Sequence, residues 1–256
     1  MTVSRLHSAV LLSCALFVST HVNATVVLVK TNAGNFEINL YDKTTPVTVA
    51  NFLNYVNNKS YDGTFIHRNE PGFVVQGGGF RYNPALASPF VAIPQQAAIQ
   101  NEPKWSNVRA TIAMAKVSGN PNSATNQWFI NVADNSSNLD LQNGGFAVFG
   151  EINALGMETI SNIAKLPTGV HVNFAGVPMR NYTSADAQAN RAVTLDNLVV
   201  IESMTVINND QNSAAASNPK ANTLILTPPT DSSSSAGSIG WLSSLALLWL
   251  GRRRRL

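Results

Sequence analysis

The stretch Phe65-Ile66-His67-Arg68-Asn69-Glu70-Pro71-Gly72-Phe73-Val74-Val75-Gln76-Gly77-Gly78 sets one arginine between two short apolar runs. Residues 64–67 and 73–76 have the length and the β-branched and aromatic content of strands. Alternation along such a strand places Glu70 on the same face as Arg68; a Glu70 turned to solvent is expected, with engagement of the guanidinium as the alternative. Gly77-Gly78-Gly79 lacks a following Gly-Lys-Ser/Thr and a surrounding βαβ unit, so it reads as a tight turn after a strand and not as a phosphate loop. His67 and His171 are too few and too far apart in sequence to suggest a metal site, and His67 reads as a packed or hydrogen-bonded structural residue.

Outward from this stretch the pattern repeats. Val26-Val27-Leu28-Val29, a turn at Asn32-Ala33-Gly34-Asn35 and alternating Phe36, Ile38 and Leu40 predict a β-hairpin. Thr45-Pro46 opens a helix with proline in its first turn, and Val49, Phe52, Leu53 and Val56 recur at helical spacing. Further strands are expected at 111–115, 128–132, 146–151 and 198–206, and a second helix over 156–166. Many short strands with two helices and long polar loops predict a mainly β fold, a closed β-barrel capped by two α-helices.

The ends differ from this body. Arg5 precedes the apolar run Val10-Leu11-Leu12-Ser13-Cys14-Ala15-Leu16-Phe17-Val18, and Val22-Asn23-Ala24 supplies a small-residue cleavage site, so 1–24 is expected to be a signal peptide. Leu11-Leu12-Ser13-Cys14 is similar to a lipobox, but the apolar run continues past the cysteine. Cleavage after Ala24 removes the only cysteine and with it any disulfide or thiolate chemistry. From 25 to 207 there are 11 Lys plus Arg against 12 Asp plus Glu, so the formal +3 of the whole chain comes from its ends, and a nucleic-acid partner has no support. Residues 208–238, rich in Asn, Ser, Ala and Pro, are expected to be a disordered linker after the 25–207 domain. Residues 239–256 join a short hydrophobic segment to four arginines, which the positive-inside rule places in the cytoplasm. That three-part tail resembles bacterial sorting signals read by membrane-embedded proteases; a plain tail anchor, and so membrane contact through 239–256, is the alternative. The chain is expected to be exported to the periplasm, free, membrane-tethered or at the cell surface.

The stretch 65–78 resembles the cyclophilin signature, usually Phe-His-Arg-x-x-Pro-Gly-Phe-x-x-Gln-Gly-Gly. Two further blocks follow in the family's order: Thr111-Ile112-Ala113-Met114-Ala115 continuing through Asn122-Ser123-Ala124-Thr125-Asn126-Gln127-Trp128-Phe129-Ile130-Asn131-Val132, and Leu139-Asp140 with Gly145-Phe146-Ala147-Val148-Phe149-Gly150. The resemblance covers residues 25–207 and is closest to the periplasmic bacterial branch. It implies a peptidyl-prolyl cis/trans isomerase acting on proline-containing peptides and unfolded polypeptides, as a monomer.

Rotation about the bond before proline meets a barrier of about 18–20 kcal/mol from amide resonance, and no bond is broken, so no nucleophile, metal or cofactor is required. By resemblance Arg68 is catalytic, donating toward the prolyl nitrogen as it becomes pyramidal; an arginine stays protonated and offers fixed donors. Gln76 is implied to orient Arg68, Gln127 to bind substrate backbone, and Ala115 to touch the peptide at a strand edge. Phe73, Met114, Phe129 and Leu139 are implied to form the apolar proline slot, and Phe146 stands where relatives carry His or Tyr. Asn69-Glu70 replaces two residues that are normally apolar, Lys116 stands where Arg or Asn is familiar, and Trp128 replaces a core Phe and brings an indole N–H that needs a partner. A proline-peptide binding or chaperone module with little turnover is the alternative function, and a surface-displayed interaction protein a third.

Overall fold

The computed structural model describes residues 25–209 and 218–226. The expected leader 1–24, the stretch 210–217 and the hydrophobic segment 239–256 lie outside the described residues. Among the described residues no helix is long and apolar enough to cross a membrane.

The chain opens with β1 (Thr25–Thr31) and β2 (Phe36–Leu40), the expected hairpin. Strict alternation turns Val27, Val29, Phe36, Ile38 and Leu40 inward, where each is at most 3% exposed. Helix α1 (Pro46–Asn57) follows, with Pro46 where its missing N–H costs nothing. The Thr45 side chain caps no N–H, and the Glu102 carboxylate takes over that task, accepting from Thr48 N at 2.8 Å and Thr48 Oγ1 at 2.7 Å. Phe52 on the inner face of α1 meets Phe149 with ring centroids 5.0 Å apart.

The remaining strands are β3 (Arg68–Glu70), β4 (Val74–Gly77), β5 (Phe80–Tyr82), β6 (Phe90–Ala92), β7 (Thr111–Met114), β8 (Trp128–Asn131), β9 (Val148–Ile152) and β10 (Ile201–Asn209). Helices α2 (Ser136–Leu139), α3 (Ala154–Ala164) and α4 (Ser184–Gln188) lie among them. Helices α1 and α3 are the two expected from periodicity; α2 and α4, of four and five residues, are too short to show one. Helix α3 begins at Asn153, whose side chain accepts from Gly156 N at 2.8 Å. Gly78, at φ +81°, makes the expected turn after β4; a Cβ there would lie 2.6 Å from the Asn126 carbonyl oxygen.

Eight strands form one antiparallel sheet in the order β10-β1-β2-β9-β7-β8-β4-β3, curled around a core of Ile66, Val75, Ile112, Ile130, Phe149 and their neighbours. The fold is mainly β as expected, but the barrel is not closed by a continuous ladder. Residues 64–67, expected as a strand, span the gap between the two edge strands and divide their backbone hydrogen bonds among several partners. Thr64 O accepts from Ile201 N, and Phe65 N donates to Phe80 O, Ile66 N to Val199 O and His67 N to Gln76 O. Only single bridges result, and the regular strand begins at Arg68. The sheet is therefore a curled half-barrel.

One segment expected within the linker is ordered against the body. Ala221 forms an antiparallel bridge with Trp105; Ser106 N donates to Lys220 O at 2.8 Å and Asn222 N to Lys104 O at 2.9 Å. The reading of 208–238 as a continuous linker fails at 218–226, because paired backbone groups and a buried Asn222, 3% exposed, hold that segment down.

Candidate functional site

The pairing register aligns one residue from each of five strands on the outer face of the sheet. Arg68 on β3 stands opposite Gln76 on β4, Gln76 opposite Phe129 on β8, Phe129 opposite Ala113 on β7, and Ala113 opposite Val148 on β9. Because the side-chain period of a strand is two, the neighbouring row, Val75, Ile130 and Ile112, belongs to the core beneath. A second apolar cluster of Val74, Ala113, Phe129, Leu139, Phe146 and Val148 sits on this outer face, with Phe73 and Ala115 at its margin. Phe129 and Phe146 meet edge to face with centroids 5.6 Å apart.

The polar side of the pocket is a chain of side chains. Gln76 Nε2 donates to Gln127 Oε1 at 2.8 Å, leaving Gln76 Oε1 to accept from Arg68 Nη1 at 3.4 Å. On its other side Arg68 Nη2 is 3.3 Å from Glu70 Oε1. The alternative for Glu70 is thus realised: it pairs with the guanidinium, because β3 puts both residues on one face. Burial lowers the Arg68 pKa and the Glu70 charge opposes that shift, so the guanidinium stays protonated while its side chain is only 18% exposed. Behind it His67 packs against Phe80, centroids 5.0 Å apart, and burial lowers its pKa to about 4 against a raising hydrogen bond with Gln127. His67 is a packed structural residue, as expected, and its burial keeps it neutral at pH 7.

The pocket brings together Arg68, Phe73, Gln76, Ala115, Gln127, Phe129, Leu139 and Phe146, eight of the residues singled out from the sequence. Met114 is the exception. It is fully buried in the main core opposite Trp128, since alternation along β7 turns Ala113 outward and Met114 inward. Trp128 is core as expected, but its indole Nε1 finds no acceptor among the described residues. Val74, Gln95 and Thr125 line the pocket without having been anticipated. The alternation that excludes Met114 would have found Val74, which shares the face of Gln76. Gln95 and Thr125 lie in loops, where no periodicity points to them.

Lys116 also lines the pocket, although only 8% exposed. Its Nζ donates to Asn143 O at 2.8 Å and Gly145 O at 2.6 Å and stands 4.8 Å from the Phe146 ring centroid. Burial lowers its pKa to about 8. With two of its three donors on carbonyls and its Nζ over the Phe146 ring, Lys116 shapes the pocket wall.

The sequence pattern of the family described as cyclophilin type peptidyl-prolyl cis-trans isomerase/CLD matches residues 26–184. A peptidyl-prolyl cis-trans isomerase of Acinetobacter baylyi is 44% identical over 172 residues, 64% of this chain and 87% of the relative. Peptidyl-prolyl cis-trans isomerase A of Dickeya dadantii is 42% identical over 161 residues, 61% of this chain and 80% of the relative. A crystal structure of a cyclophilin type peptidyl-prolyl cis-trans isomerase from Cryptosporidium parvum covers 72% of this chain and 98% of its own, at a TM-score of 0.51 and 20% identity, a likeness of fold. A second structure of that protein, in the presence of the dipeptide Ala-Pro, has a TM-score of 0.50, again at 20% identity, and covers 72% of this chain and 99% of its own. The match over 26–184 takes in every strand from β2 to β9, and hence the whole pocket, and on it this chain belongs to the cyclophilin-type peptidyl-prolyl cis-trans isomerase family.

Proposed function

We propose that this chain, a peptidyl-prolyl cis/trans isomerase by family, turns over Xaa-Pro bonds in exported proteins and so assists their folding. The observation that carries the reading is the Arg68 guanidinium, held by Gln76 at the rim of an apolar pocket floored by Phe129. The pocket takes the proline ring among Phe73, Phe129, Leu139 and Phe146, while Gln127 and the chain at Ala115 meet the peptide. Arg68 donates toward the prolyl nitrogen as its lone pair leaves conjugation; each tenfold gain in rate requires about 1.4 kcal/mol more binding in the twisted state than in the planar one. Uncatalysed isomerisation takes tens to hundreds of seconds, slow enough to limit folding. The leader-like 1–24 supports export.

The Arg68–Glu70 pair favours a second reading, a proline-peptide binding module with slow turnover, because a carboxylate sharing the guanidinium weakens it as a donor. The cis-to-trans rate of a short Xaa-Pro peptide separates the two, measured with the wild-type protein and with Arg68→Ala at matched thermal stability. A wild type that accelerates the reaction and a variant at least about 100-fold slower would support the catalytic reading. Two folded proteins at the background rate would leave the binding module. Mass spectrometry of the secreted protein tests export directly: a mature N-terminus at Thr25 is expected, and an intact Met1 would overturn it.

A further inference from the structure

Two walls of the pocket, Leu139 and Phe146, stand at the ends of a single turn and are tied together by a hydrogen bond from Phe146 N to Leu139 O at 2.9 Å. Donors from other parts of the chain hold that turn. Asn101 Nδ2 reaches Gly144 O at 2.9 Å and Gly145 O at 2.7 Å, Asn107 Nδ2 reaches Phe146 O at 3.1 Å, and Lys116 Nζ takes the carbonyls of Asn143 and Gly145. The Asp140 carboxylate is anchored by Ser106 Oγ and by Asn107 N. The Asp140 main-chain carbonyl is reached from far along the chain, by Asn222 Nδ2 at 2.9 Å.

Asn222 is itself fixed in every direction. Its backbone N–H donates to Lys104 O, its Oδ1 accepts from Leu224 N at 3.1 Å and Ile225 N at 3.2 Å, and only 3% of the residue is exposed. The fit is close on the side of the turn as well: a Cβ at Gly145, whose φ is +71°, would lie 2.7 Å from Asp140 O and 3.3 Å from Asn222 Nδ2. The bridge between Trp105 and Ala221 fastens the same segment to the 104–106 loop, and Trp105 packs on the outer apolar cluster that contains Leu139 and Phe146.

We propose that residues 218–226 are a working part of the isomerase, a strap that braces the turn at 140–146 and sets the fit of the proline pocket, with Asn222 as its positioning residue. The proposal rests on the pocket assigned under Proposed function. Without the Asn222 amide, the buried Asp140 carbonyl loses its donor and the turn gains freedom to move Phe146 and Leu139 apart. Substrate affinity falls while Arg68, on the opposite rim, keeps its own partners.

The test uses the full chain with Asn222→Ala and Asn222→Asp. The dissociation constant of an Xaa-Pro peptide is titrated alongside KM and kcat, so the strap is assessed even should turnover itself be absent. Asn222→Asp keeps an acceptor for Leu224 N and Ile225 N and loses the donor to Asp140 O. Both variants are expected to weaken peptide binding about three- to tenfold with kcat within about twofold of wild type, in proteins that stay folded with a midpoint of thermal unfolding lowered by a few degrees. Wild-type affinity in folded Asn222→Ala, or in Asn222→Asp alone, would overturn the brace, the second result leaving Asn222 only to shape its own turn. A variant that unfolds is replaced by amide hydrogen exchange on the wild type with and without peptide, where protection of 140–146 and of 220–222 is expected to rise together; a rise in 140–146 alone would also overturn it.

Discussion

The two faces of β4, β7 and β8 are made from alternate residues of the same three strands and are held in different ways. On the inner face Val75, Ile112 and Ile130 are fully buried and bound by dispersion and by exclusion from water, forces that ask for volume and not for direction. On the outer face Gln76, at 2% exposure, is almost as buried, but hydrogen bonds to Gln127 and Arg68 fix its orientation. The inner face has many neighbours to share a loss; the outer face has one side chain per task. Stability should therefore follow the inner row and turnover the outer one.

The largest effects test that separation. Ile130→Ala is expected to cost about 2–5 kcal/mol of stability, read by chemical denaturation, while the protein that remains folded keeps its turnover. Arg68→Ala, described above, is the mirror image: stability nearly unchanged, turnover collapsed. A collapse of activity in folded Ile130→Ala would break the comparison.

His67, packed against Phe65 and Phe80, gives a smaller, pH-dependent effect. Its pKa is about 4 in the folded protein against about 6.5 unfolded, so between those values the unfolded chain binds more protons. The stability contribution from keeping His67 neutral is complete above pH 6.5 and is lost as pH falls toward 4. The midpoint of thermal unfolding should drop by several degrees from pH 7 to pH 5, and the drop should shrink in His67→Gln; an equal drop in both proteins would remove His67 as the cause.

The smallest effect belongs to Glu70. Removing its charge frees one side of the Arg68 guanidinium, so Glu70→Gln is expected to raise kcat/KM by about two- to fivefold, with a weaker effect at high salt because the pair is partly exposed. A fall in kcat/KM would instead assign Glu70 to holding Arg68 in place.

Where alternation and partner choice agree, the sequence is a sufficient guide: β1 and β2 alternate strictly, and they lie in a regular antiparallel pair. Residues 64–67 have strand composition but divide their hydrogen bonds among several partners, and partner choice is a tertiary matter that local propensity does not contain. Most of the pocket is legible because its residues lie in the ordered motif blocks. Met114 is misplaced for want of applying the two-residue period inside the block, and the same step would have recovered Val74. Asn222 is hidden differently: averaged over 208–238 the composition is that of a linker, and the few residues that dock are outweighed by those around them. A buried amide satisfied by a carbonyl 82 positions earlier leaves no trace in composition.

The pairing of β1 with β10 bears on how the chain itself reaches this state. Thr25 is registered with Asn209, so the first described strand, paired early with β2 on one side, finds its second partner only when the last has been made. Closing so large a loop costs entropy before its contacts return any stabilisation, which makes this pairing a slow step of folding. Until β10 docks, β1 offers an unpaired edge to any other extended chain nearby, so this isomerase is itself vulnerable to mispairing for as long as its own folding lasts.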